Sequence, residues 1–196
     1  ALGSGAGASN LSTGLRNTAV GYQAFNTNTT GDNNVAVGYQ ALKANTSAAS
    51  NVAVGYQALV ANTTGAGNVA IGDNALVANT TAGSNIAIGK ESMRSNLTAL
   101  DNQAIGTNAL GSLVSGNGYN IAIGTSAGYL ITTGGNNTAV GRAAGASTTT
   151  GSNNTSYCSC GWWFWYISYF DKLYYLDCSC GSYINKDLCD RRRRWR

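Results

Sequence analysis

The sequence contains no histidine and no proline, and only 10% of its 196 residues are charged. Histidine is the commonest general base in enzymes and a frequent metal ligand, so its absence argues against a catalytic or metal centre of the usual kind. No apolar run reaches about 18 residues, so no transmembrane helix is predicted. The first residues also lack the basic and apolar regions of a signal peptide.

Bulky apolar residues are scarce before residue 155, while the chain holds 26 glycines. A compact core is therefore not expected, whereas thin stacked layers that need one or two Val, Ile or Leu each fit this composition. Most of the net charge of +4 comes from the tail, because residues 1–154 carry five basic and four acidic side chains and residues 155–196 carry seven and four.

An internal repeat dominates the first three quarters of the chain. A glycine that ends each Ala-Val/Ile-Gly triplet recurs every 17 residues, with one interval of 18, at Gly21, Gly38, Gly55, Gly72, Gly89, Gly106, Gly124 and Gly141. An asparagine four residues earlier keeps the same register, at Asn17, Asn34, Asn51, Asn68, Asn85, Asn102, Asn120 and Asn137. The opening Ala1-Leu2-Gly3 fits the same place, so we expect the chain to begin inside a repeat of something longer.

Counted from this asparagine as position 1, the unit reads Asn-(Val/Ile/Thr)-Ala-(Val/Ile)-Gly-x-x-Ala-Leu-x-x-Asn-Thr-Thr-Gly-x-x. The alternation at positions 2 to 4 predicts a short strand with the β-branched residues on one side and alanine on the other. Glycine and the Asn-Thr-Thr-Gly segment predict corners. One such coil buries too little to be stable, so the sequence predicts stacked coils about 4.8 Å apart.

Stacking in register places identical side chains above one another in ladders. Tyrosine, glutamine and asparagine columns agree with this arrangement, and Asp73 and Lys90 stand one coil apart in the tyrosine column, where they could pair as a solvated surface contact. The structural ladder residues that we single out are Asn34, Asn51, Asn68, Gly38, Gly55, Gly72, Tyr22, Tyr39 and Tyr56.

Alanine at positions 3 and 8 buries little area but permits close approach of another wall or another chain. The position 8 alanines include Ala24, Ala41, Ala58, Ala75 and Ala109. This pattern favours a solenoid stabilised by association, and a three-fold bundle is the arrangement that we predict. A monomeric β-solenoid is the alternative.

The segments "NVAVGYQAL", "NVAIG" and "NIAIG" resemble the repeats of trimeric autotransporter adhesin heads. The longer unit "NTAVGYQA…NTTG" resembles the repeat arrays of bacteriophage tail-fibre and related surface-fibre proteins. The resemblance covers residues 1 to about 154 and implies a left-handed parallel β-roll, homotrimeric assembly and a scaffold role. No coiled-coil stalk, membrane-anchor barrel or C-terminal chaperone of the kind that often follows such fibres is recognisable.

Two motifs that recur with the repeat have simpler interpretations. Asn-x-Ser/Thr sequons occur at Asn28, Asn45, Asn62, Asn79 and Asn96. They suit glycosylation in a secretory host, but asparagine and threonine also suit a corner, and we favour the second interpretation. A threonine column (Thr30, Thr64, Thr81, Thr98) suggests ice binding. This remains a minor alternative, because adjacent threonines of a strand point to opposite faces and do not form a flat paired array.

The repeats offer few groups for catalysis. Their acids are Asp32, Asp73, Glu91 and Asp101, and Asp73 and Glu91 lie in adjacent coils. Glycoside hydrolysis needs two carboxylates that face each other across about 5 to 10 Å, which the sequence does not indicate. The opening "GSGAGAS" lacks the helix that a nucleotide loop requires. We predict no enzyme activity and no cofactor, with a polysaccharide depolymerase as the alternative.

The repeat stops after Asn154, and all five cysteines and all four tryptophans follow. One hypothesis is a cap stapled by disulfides among Cys158, Cys160, Cys178 and Cys180, and a four-thiolate zinc site is a weaker one because the Cys-x-Cys spacing is short. A third is an out-of-frame tail, since both "CSCG" copies, if encoded TGT AGT TGT GGG, would be read one base later as a valine-rich run. The terminal "RRRRWR" can bind anionic partners, but a solvated terminus is the simpler interpretation.

The sequence thus predicts an all-β parallel β-solenoid of about nine 17-residue coils over residues 1–154, followed by a Cys- and Trp-rich cap or tip over 155–196. The predicted function is a non-catalytic fibre or adhesin component, extracellular or on a virion, that presents a tip for attachment. Expected partners are two further copies of the chain, other fibre or virion proteins and a cell-surface glycan or receptor, without nucleic acid.

Overall fold

The computed structural model describes residues 2–8, 16–116, 118–158, 173–176 and 183–184. The described chain is all-β, with no helix in these ranges and hence none long and apolar enough to span a bilayer. Its strands are β1 (Thr18–Val20), β2 (Val35–Val37), β3 (Val52–Val54), β4 (Val69–Ile71), β5 (Ile86–Ile88), β6 (Gln103–Ile105), β7 (Ile121–Ile123), β8 (Thr138–Val140), β9 (Thr155–Cys158), β10 (Leu173–Leu176) and β11 (Tyr183–Ile184).

The strands form one sheet in chain order, and β1 to β9 pair in parallel with their sequence neighbours. Each residue pairs with its counterpart one repeat further on, as Ala36 does with Ala53. The chain is therefore a parallel β-solenoid of about eight turns of about 17 residues. About nine coils were expected; the ninth register position opens β9, and most of the coil that would follow lies outside the described residues.

Each coil is held to its neighbours by backbone hydrogen bonds outside the strands as well. In the second coil, the amides of Val35, Gly38 and Leu42 donate to carbonyls of the adjacent coils at 2.8 to 3.0 Å. These bonds occur along the contour of the coil, so the corners are hydrogen-bonded to the neighbouring coils as well as the strand.

The core of the solenoid is narrow. It consists of the alanine in the middle of each of the strands β1 to β8 and, in most coils, an alanine at position 8 and one larger residue at position 9, such as Leu42, Leu59 or Leu76. All of these side chains are fully or almost fully buried. The two walls of the coil approach closely, so only a methyl group fits at most core positions, and the position 9 residue fills the remaining width.

This arrangement corrects the argument from alanine. Ala24, Ala41, Ala58, Ala75 and Ala109 are fully buried inside the chain's own coils, so they offer no surface to another chain. The expected separation of alanine and β-branched residues is present, but the strand turns its small residues inward. The valines and isoleucines at positions 2 and 4 face outward, with Ile71 and Ile105 more than a third exposed.

Two buried asparagine ladders close the coils. Asn34 at position 1 donates from Nδ2 to the carbonyl of Ala48, which joins the two ends of its coil at 2.9 Å. Its Oδ1 accepts the backbone amide of Asn51 in the next coil at 2.9 Å. The second ladder, at position 12, turns the corner in the same way, as Asn45 donates to Ala48 at 3.1 Å. One side chain thus closes a coil and ties it to the next, which satisfies groups that would otherwise be buried without partners.

The position 12 ladder also decides between the two interpretations of the sequons. Asn28, Asn45, Asn62, Asn79 and Asn96 are fully buried and hydrogen-bonded within the corner. Their amides are therefore not accessible for glycosylation in the folded chain. The recurrent motif reflects the corner that asparagine builds.

The core changes composition in the later coils. Position 12 becomes Leu113 and then Ile131, both buried, where earlier coils have asparagine. Position 9 becomes Gly128 in the coil of Ile131, and a Cβ on Gly128 would lie 3.1 Å from Cδ1 of Ile131. The bulky residue has therefore moved from one corner of the coil to the other while the core remains filled.

Candidate interaction surfaces

An apolar strip runs along the outer face of the sheet. It is formed by the residues at position 4, which pair with one another from coil to coil: Leu2, Val20, Val37, Val54, Ile71, Ile88, Ile105, Ile123, Val140 and Tyr157. Every one of these side chains is partly or largely exposed. Nine steps of about 4.8 Å make the strip about 43 Å long. The sequence signal was the column of valine and isoleucine at position 4, which is unbroken from Val20 to Val140, although the alternation alone did not say whether this column faces inward or outward.

A second outward column is the position 2 residue of each strand. It is apolar in most coils, but Thr18, Gln103 and Thr138 interrupt it. The position 4 strip is therefore the continuous feature, and position 2 widens it over β2 to β5.

The tyrosine ladder consists of Tyr22, Tyr39 and Tyr56 at position 6. The rings stack with centroids 5.3 and 5.1 Å apart and planes within 13° of parallel. The adjacent glutamines form a parallel row, in which Gln57 donates to Gln40 and Gln40 donates to Gln23, each at 3.0 Å. The spacing of the coils sets both rows, because side chains in register are brought to about one strand spacing.

Hydroxyl groups line another corner. At position 13, Thr29, Thr46 and Thr63 donate to carbonyls of the next coil at 2.8 to 3.1 Å. Position 14 carries an unbroken column of Thr30, Ser47, Thr64, Thr81, Thr98, Ser115, Thr133 and Thr150. Adjacent threonines were expected on opposite faces, yet Thr29 and Thr30 are both exposed, because these positions lie in a bend and not in a strand. The position 13 hydroxyls are thus used in hydrogen bonds between coils.

The charged side chains of the repeats do not converge on a site. Asp73 accepts from Asn74 at 2.6 Å, and Glu91 forms an ion pair with Arg94 at 3.2 Å. Asp73 and Lys90 do not form an ion pair, although they occupy the same column in neighbouring coils. Within the ranges that the structure covers, no three His, Cys, Asp or Glu side chains lie close enough together to hold a metal ion.

The ladder residues predicted from the sequence are all in the described coils. Asn34, Asn51 and Asn68 form the buried position 1 ladder, and Gly38, Gly55 and Gly72 form the position 5 corner. The predicted disulfides lie elsewhere: Cys160, Cys178 and Cys180 are outside the described residues, and only the backbone of Cys158 is described, in β9.

One contact, between Arg94 and Tyr129, was not predicted from the sequence, because it depends on how far the two side chains extend. Arg94 donates to the Tyr129 hydroxyl, two coils away, at 3.2 Å. The intervening coil has Gly111 at the same column, and a Cβ there would lie 2.8 Å from Cε2 of Tyr129. The glycine therefore leaves room for the tyrosine ring to cross a coil and reach the arginine.

Comparison of the chain with protein-family models, with curated proteins and with solved structures finds no match.

Proposed function

We propose that this chain is a non-catalytic structural fibre module that assembles as a homotrimer and displays attachment surfaces at a cell or virion exterior. The observation that carries the proposal is the apolar strip on the outer face of the sheet. A soluble monomer rarely keeps a continuous apolar patch of this kind exposed to water, so its coverage by further copies of the chain provides a physical reason for the strip.

The shape of the solenoid supports this role. Each coil contacts its neighbours through backbone hydrogen bonds, the two asparagine ladders and a continuous narrow core. Such a quasi-one-dimensional stack makes a stiff rod whose length grows with the number of coils. A single thin rod has little core per residue, and association along the strip would add the apolar burial that it lacks.

The choice of three chains rests on the resemblance of the repeat to adhesin-head and tail-fibre arrays. In this arrangement the strips of three chains meet at a common axis, and the other sides of each coil face outward. Three copies of any weak surface site would then act together, which raises the avidity for a repeated ligand without a new contact. Other fibre proteins would join at the ends of the rod.

The test is the mass of the full chain in solution by light scattering and sedimentation velocity. We expect about three times the 20.1 kDa of one chain. The double variant Ile71→Lys/Ile105→Lys places two charges on the strip, where burial would be costly, so its mass should fall to that of a monomer. Its far-UV circular dichroism should be unchanged, since both side chains point away from the chain's own core.

The matched control is Thr64→Lys/Thr98→Lys, which adds the same charge to exposed hydroxyl-column residues in two coils. This variant should keep the trimeric mass. A monomeric wild-type chain, or a control that dissociates as readily as the strip variant, would contradict the proposal.

A further inference from the structure

The tyrosine ladder ends abruptly at Tyr56. Position 6 of the next coil is Asp73, whose short side chain cannot continue the stack, and Lys90 follows in the coil after that. The middle ring, Tyr39, is 41% exposed, and the end rings Tyr22 and Tyr56 are 47% and 50% exposed. The end rings are more exposed because each has one ring face that no neighbouring ring covers.

The glutamine row ends at the same coil. Gln57 donates to Gln40, but position 7 of the next coil is Asn74, whose amide donates to Asp73 Oδ1 and not to Gln57. In the described part of the chain, Gln57 Oε1 and Asp73 Oδ2 therefore accept no hydrogen bond. The backbone amide of Asn74 donates to the carbonyl of Tyr56 at 2.9 Å, so the register of the two coils places these two acceptors beside the open face of the Tyr56 ring.

We propose that this end of the ladder is a saccharide-binding site, in which a pyranose ring stacks on the open face of Tyr56 and its hydroxyls donate to Asp73 Oδ2 and Gln57 Oε1. A pyranose presents a flat patch of C–H groups on one side and hydroxyl donors around its edge, which matches an aromatic face bordered by acceptors. The hydrogen bonds to the carboxylate would be charge-assisted and would supply most of the directional selectivity.

Other ligand classes fit these groups less well. An anion would meet the carboxylate of Asp73 and a carbonyl oxygen at the place where it would need donors. A nucleobase could also stack on the ring, but its donors lie on one edge in the plane of the base, and only guanine places two neighbouring donor groups there, whereas a pyranose carries hydroxyl donors around its whole edge. The chemistry therefore favours a neutral sugar over a phosphate or a base.

The site is on an open surface, so a single copy should bind weakly. It also follows the bend at Gly55 and thus lies on the side of the coil after the apolar strip. The biological use of such a site as a glycan contact rests on the proposed trimer, in which three copies act together. Binding of one sugar by one site does not depend on the trimer, so the two can be tested separately.

The experiment is saturation-transfer difference NMR on the full chain with four probes: the methyl β-glycosides of glucose, galactose and N-acetylglucosamine, and methyl α-mannoside. At least one probe should receive saturation, mostly through protons on one ring face. Tyr56→Ala should weaken that binding roughly tenfold, the scale of one lost stacking contact. Asp73→Asn should weaken it by a smaller factor, since the amide keeps one acceptor.

Tyr22→Ala is the matched control. It removes the ring at the other end of the same ladder, where Ser4 and Gly5 provide no carboxylate. The binding should be unchanged in this variant. Thermal unfolding of each variant by circular dichroism verifies the fold.

Three results would overturn the saccharide site: no saturation of any probe, equal losses in Tyr56→Ala and Tyr22→Ala, or stronger Tyr56-dependent saturation of guanosine or adenosine than of every glycoside. Failure here with a trimeric mass would leave the fibre proposal standing. A monomeric chain that still binds a probe through Tyr56 would retain the site and overturn the fibre proposal.

Discussion

The glycine at repeat position 5 is a single residue on which the stacking of the coils depends. Gly72 has a φ of +137°, and a Cβ on it would lie 2.6 Å from the carbonyl carbon and oxygen of Gly89 in the next coil. The same geometry recurs along the column, so each corner glycine allows the next coil to stack. A side chain here meets backbone, which cannot move aside without opening the stack.

We therefore predict that Gly72→Ala destabilises the chain by about 3 kcal/mol or more, through a left-handed backbone and a steric clash together. Gly67→Ala is the matched control, because Gly67 also has a positive φ, +71°, but a Cβ there has 3.8 Å of room. The control should lose only about 1 kcal/mol, the cost of the left-handed conformation alone. Urea unfolding curves measure both, and equal losses would show that stacking contact at the corner is unimportant.

The position 1 asparagines each make two kinds of hydrogen bond, one within their own coil and one to the next coil. Asn34 closes its own coil through Nδ2 and holds the next coil through Oδ1, so neither aspartate nor leucine can replace both functions. Leu113 and Ile131 show the alternative at position 12, where the corner is filled by an apolar side chain. Position 1 keeps its asparagine throughout the repeats, because a coil without that closure would leave buried backbone groups unpaired.

Among the coils, a side chain can contact a coil beyond its direct neighbour only where the intervening coil has a glycine in the same column. Tyr129 reaches Arg94 over Gly111, and Arg94 also pairs with Glu91. Gly111→Ala should displace the tyrosine ring and break its hydrogen bond, at a cost of about 1 kcal/mol for a partly exposed contact.

A double-mutant cycle with Tyr129→Phe isolates this contact. Each single variant should lose about 1 kcal/mol in urea unfolding, and the double variant should lose hardly more than either, because both changes remove the same hydrogen bond. Fully additive losses would mean that the alanine acts on the coil itself and not through Tyr129.

Most of the architecture of a coil could be predicted from the sequence, but the direction of the strand faces and the contacts between distant coils could not. The 17-residue register of asparagine and glycine gave the strands, the parallel pairing and the ladders, because a solenoid repeats its geometry with its sequence. The inward direction of the strand was not predicted: the alternation separates Val37 and Ile71 from Ala36 and Ala70, and the structure shows that the alanines occupy the core. Alternation separates two faces but does not say which is inward, since this depends on the width of the coil. Contacts such as Arg94 to Tyr129 were also unpredictable, because they depend on side-chain conformations across coils.

In the whole molecule, over the residues that the structure describes, contacts between coils join each coil almost entirely to its two neighbours. In such a stack, stability is roughly a sum of coil and interface terms, and a local defect should loosen its neighbours more than distant coils. Compact domains behave differently, since their long-range contacts make one cooperative unit. The solenoid thus predicts a spatial pattern of stability.

We predict that Leu76→Ala, which empties a fully buried core position, costs about 2 to 5 kcal/mol locally. Native-state hydrogen exchange should show lost protection in residues 51–101, the mutated coil and its neighbours, with protection retained in residues 17–33 and 137–153. Val77→Ala, at the adjacent half-buried position, is the control and should change exchange little. A uniform loss of protection from residue 17 to residue 153 would instead mean that the coils unfold as a single unit. A trimer held along the whole strip would produce that result more readily than an isolated rod, so the exchange pattern should be compared with the measured mass of the same sample.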